Sequence, residues 1–156
     1  QGFTLSTPLQ ICLMTARIAS GKILFPSIVK KNKNYEYLSY SKSNLEFVKN
    51  SMFSVVNDKN GTAYTSRLSG NFKMAGKTGT SQVRVISKEE RESEKGVLKN
   101  EEIVYKLRDH SLFTCFAPFE NPQYALTVVA EHMGSGSKVA APIAKKIMQV
   151  AINKYS

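Results

Sequence analysis

Apolar side chains recur at helical spacing in three segments of the chain. The first segment follows Thr7, whose hydroxyl suits an N-cap, and it has Pro8 at the first helical position. Ser43 opens the second segment, and Glu46 three residues later indicates a capping box. The third segment carries an apolar stripe along one face after a glycine-rich break. These patterns predict helices over residues 7–20, 43–56 and 138–154.

Three other segments have the composition of β-strands. Residues 112–119 and 124–132 are apolar runs, and the Glu120-Asn121-Pro122-Gln123 stretch between them predicts a hairpin turn. An earlier strand is expected over residues 72–86, which hold small residues at one end and Val and Ile at the other. The three strands are expected to pair antiparallel.

The remaining segments are polar or interrupted. Residues 23–30 are apolar but contain Pro26, which predicts a short edge strand or an extended crossing. Residues 30–42 are rich in Lys, Asn and Tyr, and they predict an exposed loop or ribbon. Residues 87–106 carry charges of both signs and predict a solvated excursion or mobile loop.

The order of elements is helix, helix, three strands and helix. This order predicts an α+β fold in which helices pack on an antiparallel sheet of about three strands. A length of 156 residues and a hydrophobic fraction of 42% suit one globular domain. No apolar run approaches the roughly 20 residues of a membrane span. Because the chain begins with Gln1 instead of Met, we expect it to be part of a longer protein.

The formal charge of +10 adds one alternative function and leaves the predicted fold unchanged. Such a charge would suit nucleic acid or another polyanion, so a small basic binding module is the alternative function. However, the Lys residues are scattered and form no dense stripe with aromatic residues, so no specific nucleic acid is expected. The two cysteines, Cys12 and Cys115, make no disulfide framework, and no Cys/His cluster has metal-ligand spacing. No cofactor is expected.

One tetrapeptide, Lys77-Thr78-Gly79-Thr80, has the composition of a ligand-binding strand. In an extended chain, Lys77 and Gly79 would lie on one face and Thr78 and Thr80 on the other. A glycine inside a strand often marks the close approach of a ligand or another backbone. Lys-Thr-Gly is also one of three motifs of penicillin-binding proteins and class A β-lactamases, beside Ser-x-x-Lys and a Ser-x-Asn-type element.

Several motifs in order, and not this one alone, carry a resemblance to a known family. The chain resembles the C-terminal part of the transpeptidase domain of a class B penicillin-binding protein, most closely the elongation type called penicillin-binding protein 2. The matching pieces are Gln1-Gly2, Thr7-Pro8-Leu9-Gln10, Gly61-Thr62-Ala63, Ala75 to Val83, Leu107-Arg108-Asp109-His110, Phe116-Ala117-Pro118-Phe119 with Asn121-Pro122, and Gly134-Ser135-Gly136 leading into Val139-Ala140-Ala141-Pro142. A β-lactamase relative is disfavoured because the Leu-Arg-Asp-His and Thr-Pro-Leu-Gln features belong to the transpeptidase pattern.

The resemblance implies a fold related to serine β-lactamases and a serine D,D-transpeptidase activity. In that reaction a serine attacks the penultimate D-alanyl carbonyl of a peptidoglycan stem peptide, releases D-Ala and passes the acyl group to an amine. By similarity Lys77 is catalytic, because it sets the positive potential and helps to move protons. Thr78, Gly79 and Thr80 bind substrate, with Thr80 the better partner for its carboxylate and its N–H an oxyanion donor. β-Lactams are implied inhibitors.

The same resemblance places the nucleophile outside this chain. The Ser-x-x-Lys matches at Ser27, Ser39 and Ser135 are no more numerous than chance allows, and none opens a buried helix in the expected place. Ser69 and Asn71 form the one Ser-x-Asn match, which indicates a turn. Residues 1–156 are therefore predicted to be the C-terminal portion of a transpeptidase domain, inactive alone because it lacks both upstream motifs.

The resemblance also implies a cellular location and protein partners. The parent protein is expected at the bacterial inner membrane, with this domain on the periplasmic side and other cell-wall elongation proteins as partners. Without the rest of its domain the chain is expected to expose apolar surface and to form oligomers.

Histidine, arginine and cysteine residues near the strands have structural interpretations. His110 and His132 each adjoin a strand end and are expected at the surface or core edge, without a catalytic role. Arg108 and Asp109 are expected to form an ion pair that braces a loop. Cys115 alternates with apolar neighbours and is expected to be a small buried hydrophobe.

Overall fold

The computed structural model describes residues 4–29 and 34–155. In this part of the chain, four helices and three strands make an α+β fold, and the predicted fold class is confirmed. Three one-turn 3-10 helices lie at Tyr64–Ser66, Asn100–Glu102 and Tyr105–Leu107. The longer elements are α1 (Pro8–Ser20), α2 (Lys42–Asn57), β1 (Ala75–Ser81), α3 (Lys88–Glu92), β2 (His110–Ala117), β3 (Tyr124–Ala130) and α4 (Ala140–Tyr155).

The sheet is antiparallel in the order β1-β2-β3, so β2 is its central strand. Helix α4 packs on one face, where Phe113 and Met148 are fully buried with residues that precede β1. Helices α1 and α2 cover the other face, where Ala19 and Met52 pack against Phe116. The position of β2 between two helical layers explains why it is the most buried of the three strands.

Helix α1 begins as its sequence predicts. The Gln10 N–H donates to Thr7 Oγ1 at 3.2 Å, and the Thr7 N–H donates to Gln10 Oε1 at 2.8 Å. For α2 the predicted capping box of Ser43 and Glu46 is wrong. Ser41 is the N-cap and accepts from the Asn44 N–H at 3.2 Å, so the helix begins before Ser43. Either serine satisfies the sequence rule, and only Ser41 has the extended backbone that an N-cap requires.

The predicted strand over residues 72–86 is too long. Strand β1 ends at Ser81 because its partner β2 begins at His110, opposite Ser81. Strands β2 and β3 likewise end two residues before their predicted ends, and α4 begins two residues late, after a turn at its N-terminal side. These shifts are errors of boundary and leave each element in its predicted place.

The polar segments are exposed as predicted, but their local structure differs from the prediction. The charged segment is mostly exposed, as predicted, but it contains α3 and two 3-10 turns. Arg84 holds this segment by two hydrogen bonds to Glu90, at 2.6 and 2.5 Å. The proline-interrupted run is extended, and an isolated bridge joins Lys22 to Tyr37 in the following ribbon. Residues 30–33 of the predicted loop lie outside the described residues. Across the two described ranges, no helix is both long and apolar enough to cross a bilayer.

The core on the α4 side gives a direct test of the packing. Phe113 has no exposed surface, whereas Phe47 on α2 is 74% exposed. Phe113→Ala is expected to lower the free energy of unfolding by about 3–5 kcal/mol, because it removes a ring and leaves a cavity. Phe47→Ala, the matched control, should change it by less than about 0.5 kcal/mol. Urea denaturation of both variants measures the difference, and equal losses would contradict the assigned core.

The Arg84–Glu90 pair predicts a specific pH dependence. Hydrogen bonds from Arg84, and after them from the Leu98 N–H, lower the pKa of Glu90 from 4.5 to about 2. Because the folded pKa is depressed, the stabilisation is complete above pH 4.5 and is lost as the pH falls through about 2.

Removing the guanidinium should abolish this shift. In Arg84→Gln we expect the pKa of Glu90 to rise towards 4.5, because its first cause is gone. Arg91→Gln is the control, since Arg91 makes only the smallest contribution to the shift. An NMR titration of the Glu90 carboxyl carbon measures both variants, and an unchanged pKa in Arg84→Gln would show that the pair does not form.

Candidate active site

The Lys77-Thr78-Gly79-Thr80 stretch lies in β1, at an edge of the described sheet. Lys77 stands opposite Thr114, whose hydroxyl meets that of Thr15 on α1 at 2.7 Å. Thr78 stands opposite Phe113, which is buried on the α4 side. Cross-strand partners share a face, so Lys77 faces the α1 and α2 layer while Thr78 lies on the other face. This agrees with the alternation expected from the sequence.

The backbone of β1 presents polar groups at its outer edge. Lys77 Nζ donates to the Thr78 carbonyl oxygen at 2.7 Å, which indicates that this carbonyl points away from β2. Backbone groups of residues two apart in a strand point the same way, so the Thr80 N–H lies on this outer side as well. The edge therefore offers an N–H donor beside a lysine ammonium, the combination that stabilises a developing oxyanion.

The hydroxyl groups of Thr78 and Thr80 lie on the face of β1 opposite to Lys77, next to its outer edge. The hydroxyls of Thr62 and Thr78 are 2.9 Å apart. Thr80 is half-buried, and its hydroxyl has no hydrogen-bond partner among the residues that the structure describes. Sequence reasoning gave Thr62 no role, although the Gly61-Thr62-Ala63 motif was a signal that could have drawn attention to it.

Close backbone packing supports β1 at Gly79. A Cβ on Gly136 would lie 2.3 Å from the carbonyl oxygens of both Gly79 and Leu112, so no other residue fits at Gly136 without movement. This loop is fixed by Ser111, whose hydroxyl donates to the Ser135 carbonyl at 2.9 Å and accepts from the Ala140 N–H at 3.0 Å. The loop that contains Gly136 thereby covers part of β1 at Gly79.

A groove of about 430 Å³ opens beside Lys77 between α1, α2 and the sheet. Its floor contains a chain of threonine hydroxyls, with Thr114 at 2.7 Å from both Thr15 and Thr127. No acidic residue lines it, so the Lys77 ammonium has no carboxylate partner within the described ranges. The groove is mainly apolar and is lined by Met14, Thr15, Ile18, Phe47, Val48, Ser51, Met52, Val55, Lys77 and Thr114.

None of the three Ser-x-x-Lys serines joins this site. The exposed Ser27 donates to the Val29 carbonyl at 2.8 Å, and its paired Lys30 lies outside the described residues. Ser39 is exposed in a bend before α2. Ser135 bonds to the Ser137 hydroxyl at 2.9 Å in the turn before α4. Each lies in a loop or turn, as its sequence position predicts.

The two histidines connect the ends of β2 and β3. His110 Nδ1 accepts from the His132 N–H at 2.9 Å, and His132 Nδ1 lies 3.1 Å from the Arg108 carbonyl oxygen. A carbonyl can only accept, so His132 carries its proton on Nδ1, while His110 Nδ1 carries none. Both rings are committed to structural bonds, which agrees with the expected core-edge role.

The ion pair expected between Arg108 and Asp109 is wrong within the described part of the chain. Arg108 Nε donates to the Ile103 carbonyl at 3.0 Å instead. The Asp109 N–H donates to Asn100 Oδ1 at 2.9 Å. Adjacent residues in extended backbone point in opposite directions, so they reach different parts of the same loop.

The two cysteines are free thiols, of which Cys115 is buried and Cys12 is half-buried. Cys115 is fully buried, and burial raises its pKa, so the prediction of a small buried hydrophobe is confirmed. Burial also raises the pKa of Cys12, whose Sγ lies 3.5 Å from the Ala125 carbonyl oxygen. Among the described residues no group of three or more His, Cys, Asp or Glu side chains could hold a metal ion.

Similar proteins share both the sequence and the fold. Peptidoglycan D,D-transpeptidase MrdA of Haemophilus influenzae is 35% identical over 99% of this chain and 25% of its own length. The MrdA protein of Salmonella typhimurium is 30% identical over 95% of this chain and 25% of its own length. The chain thus spans about a quarter of the length of these relatives.

Two solved structures have the same fold as this chain. The penicillin-binding protein PBP2 of Helicobacter pylori, solved in complex with MreC, matches 99% of this chain and 26% of its own with a TM-score of 0.75 and 33% identity. PBP2 of Pseudomonas aeruginosa, solved with WCK 5153, matches 97% of this chain and 31% of its own with a TM-score of 0.68 and 30% identity. The model of the penicillin binding protein transpeptidase domain matches residues 1–149. This chain therefore belongs to the penicillin-binding protein transpeptidase family.

Proposed function

We propose that this chain forms one wall of the active site of a peptidoglycan D,D-transpeptidase. The observation that carries the proposal is the outer edge of β1, which carries the Thr80 N–H between Lys77 on one face of the strand and the hydroxyls of Thr78 and Thr80 on the other. Family membership and relatives named peptidoglycan D,D-transpeptidases support this assignment.

Each group at the edge has a part in the proposed reaction. Lys77 holds a positive charge beside the reacting carbonyl and assists proton movement. The Thr80 N–H stabilises the oxyanion of the tetrahedral intermediate, while the hydroxyls of Thr78 and Thr80 bind the terminal carboxylate of the stem peptide. Gly79 has no side chain, so the acyl-peptide backbone can lie against the strand. A β-lactam carries a carboxylate and a strained carbonyl, and it would occupy the same groups.

The serine nucleophile comes from a part of the protein outside residues 1–156. Ser27, Ser39 and Ser135 all lie in loops or turns and none begins a buried helix, which supports this proposal. The chain then represents the C-terminal portion of the transpeptidase domain, without the Ser-x-x-Lys and Ser-x-Asn motifs. Alone it is inactive.

The cellular setting follows from the same assignment. A peptidoglycan transpeptidase works where the cell wall is built, so we place the domain on the periplasmic side of the bacterial inner membrane. Other elongation proteins are proposed partners, since PBP2 of Helicobacter pylori forms a complex with MreC. The positive charge needs no nucleic-acid partner in this setting and remains a property of the surface.

Acylation by a fluorescent penicillin tests the proposed activity. The full-length protein is expected to label stoichiometrically, and Lys77→Ala should slow acylation at least about 100-fold, because it removes the charge that assists proton transfer. Lys73→Ala is the matched control, since its exposed side chain precedes β1 while only its carbonyl bonds to the Phe119 N–H, at 2.9 Å. Equal rates for wild type and Lys77→Ala would contradict the proposal.

The 156-residue chain tests where the nucleophile lies. We expect no covalent labelling of this chain by the same fluorescent penicillin, because it lacks the reacting serine. Mass spectrometry of the intact chain measures the adduct. Stoichiometric labelling that disappears on changing Ser27, Ser39 or Ser135 would place the nucleophile inside the chain and overturn this part of the proposal.

The exposed groove beside Lys77 predicts self-association of the isolated chain. Phe47 is 74% exposed and Met14 is 50% exposed, so apolar surface is available for a second copy. Sedimentation velocity should detect oligomers that Phe47→Glu weakens, whereas Val85→Glu, at a site 91% exposed outside the groove, should not. Monomeric behaviour of the wild type with sharp cooperative unfolding would contradict this prediction.

A further inference from the structure

Within the described part of the chain, Thr62 is the one side chain outside β1 whose hydrogen bond reaches a proposed substrate-binding hydroxyl. Its Oγ1 lies 2.9 Å from Thr78 Oγ1, a good distance for a hydrogen bond between two hydroxyls. The two residues are 16 positions apart and belong to different elements. The contact therefore depends on how the turn after α2 is held against the strand.

The turn that carries Thr62 is fixed on both sides of this residue. Before it, Gly61 lies so close to α2 that a Cβ would be 2.4 Å from the Val55 carbonyl oxygen. After it, the Ala63 N–H donates to the same carbonyl at 2.9 Å, and Ala63 is fully buried. Thr62 is thus held between two packed neighbours, and little entropy is lost when its hydroxyl bonds to Thr78.

The strand is tied to the same helix at a second point. Asn57, the last residue of α2, donates from Nδ2 to the Met74 carbonyl at 2.9 Å, immediately before β1. Thr78 itself is held by its pairing with Phe113 of β2. The separation between Thr62 and Thr78 is therefore set by the framework and not by two mobile side chains.

We propose that Thr62 is a positioning residue that directs the hydroxyl proton of Thr78 towards the substrate carboxylate. This inference rests on the proposed function, in which Thr78 binds that carboxylate. Each hydroxyl has one proton to donate, and a carboxylate can only accept. When a carboxylate is bound, Thr62 must donate to Thr78 and Thr78 must donate to the carboxylate. If Thr78 donated its proton to Thr62 instead, it would have none left for the carboxylate.

This arrangement favours an anionic ligand for a physical reason. A hydroxyl that accepts one hydrogen bond becomes a better donor in the next, so Thr62 strengthens the contact between Thr78 and the carboxylate. A ligand whose carboxylate is esterified carries no negative charge and gains much less from the same donor. Thr62 thereby acts on specificity for a free terminal carboxylate without contacting the ligand.

A double-mutant cycle in the full-length protein tests the proposal. The measured quantity is the second-order rate constant of acylation by benzylpenicillin and by its methyl ester. Thr62→Val should lower the rate constant for benzylpenicillin roughly three- to tenfold, the range of one hydrogen bond. Thr62→Ser, which keeps the hydroxyl, should stay within about twofold of wild type.

The positioning role predicts two further results that a general loss of stability would not give. In a Thr78→Val background, Thr62→Val should have no additional effect, because the hydroxyl that it orients is absent. For the methyl ester, Thr62→Val should lower the rate constant by less than about twofold. An equal loss in both backgrounds, or an equal loss for acid and ester, would overturn the proposal.

Failure of the proposed function has a different signature. If the wild-type protein is not acylated at all, the proposed function falls and this inference falls with it. If the wild type is acylated but the two substitutions are additive, only the role of Thr62 is wrong.

A spectroscopic measurement on the 156-residue chain checks the geometry without any reaction. Three-bond couplings of the Thr78 methyl carbon report its side-chain rotamer. They should indicate one rotamer in the wild type and in Thr62→Ser, and averaging in Thr62→Val. Averaged couplings in the wild type would overturn the claim that Thr62 holds Thr78.

Discussion

The seven residues of β1 pair with β2 in an antiparallel ladder from Ala75 opposite Phe116 to Ser81 opposite His110. This ladder decides which side chains of the Lys-Thr-Gly stretch face each helical layer, because a slip of one residue would exchange the two faces. Gly76 fixes the register sterically, since a Cβ there would lie 2.5 Å from the Phe113 ring and 2.7 Å from the Thr114 carbonyl oxygen. The outer edge that carries the proposed chemistry is a consequence of this pairing.

Polar groups inside the sheet are arranged so that burial costs little. Thr15 donates to the Ile11 carbonyl at 2.9 Å or shares its proton with Thr114, which in turn meets Thr127. Satisfied hydroxyls join α1 to β2 and β3, where an apolar contact would be less specific. These threonine hydroxyls lie in the floor of the groove beside Lys77, which no acidic residue of the described ranges lines.

The sequence predicted the three long helices, the three strands, their relative order and the strand with the candidate site, because helix caps, turns and apolar periodicity are local signals. It failed where local signals compete: Ser41 and Ser43 both suit an N-cap, and only the backbone of Ser41 decides between them. The end of β1 could not be predicted either, since it depends on where β2 begins. The Thr62–Thr78 contact joins residues 16 positions apart, and no periodic pattern encodes such a distance.

The loop before α4 restricts the position of β1 and therefore of the proposed site. Gly136 lies against the carbonyl oxygens of Gly79 and Leu112 with no space for a methyl group. Any bulkier residue there must displace the loop, β1 or β2, while every residue of the two strands stays the same. The geometry of the Lys-Thr-Gly strand therefore depends on a loop residue that is distant in the sequence and lies outside that motif.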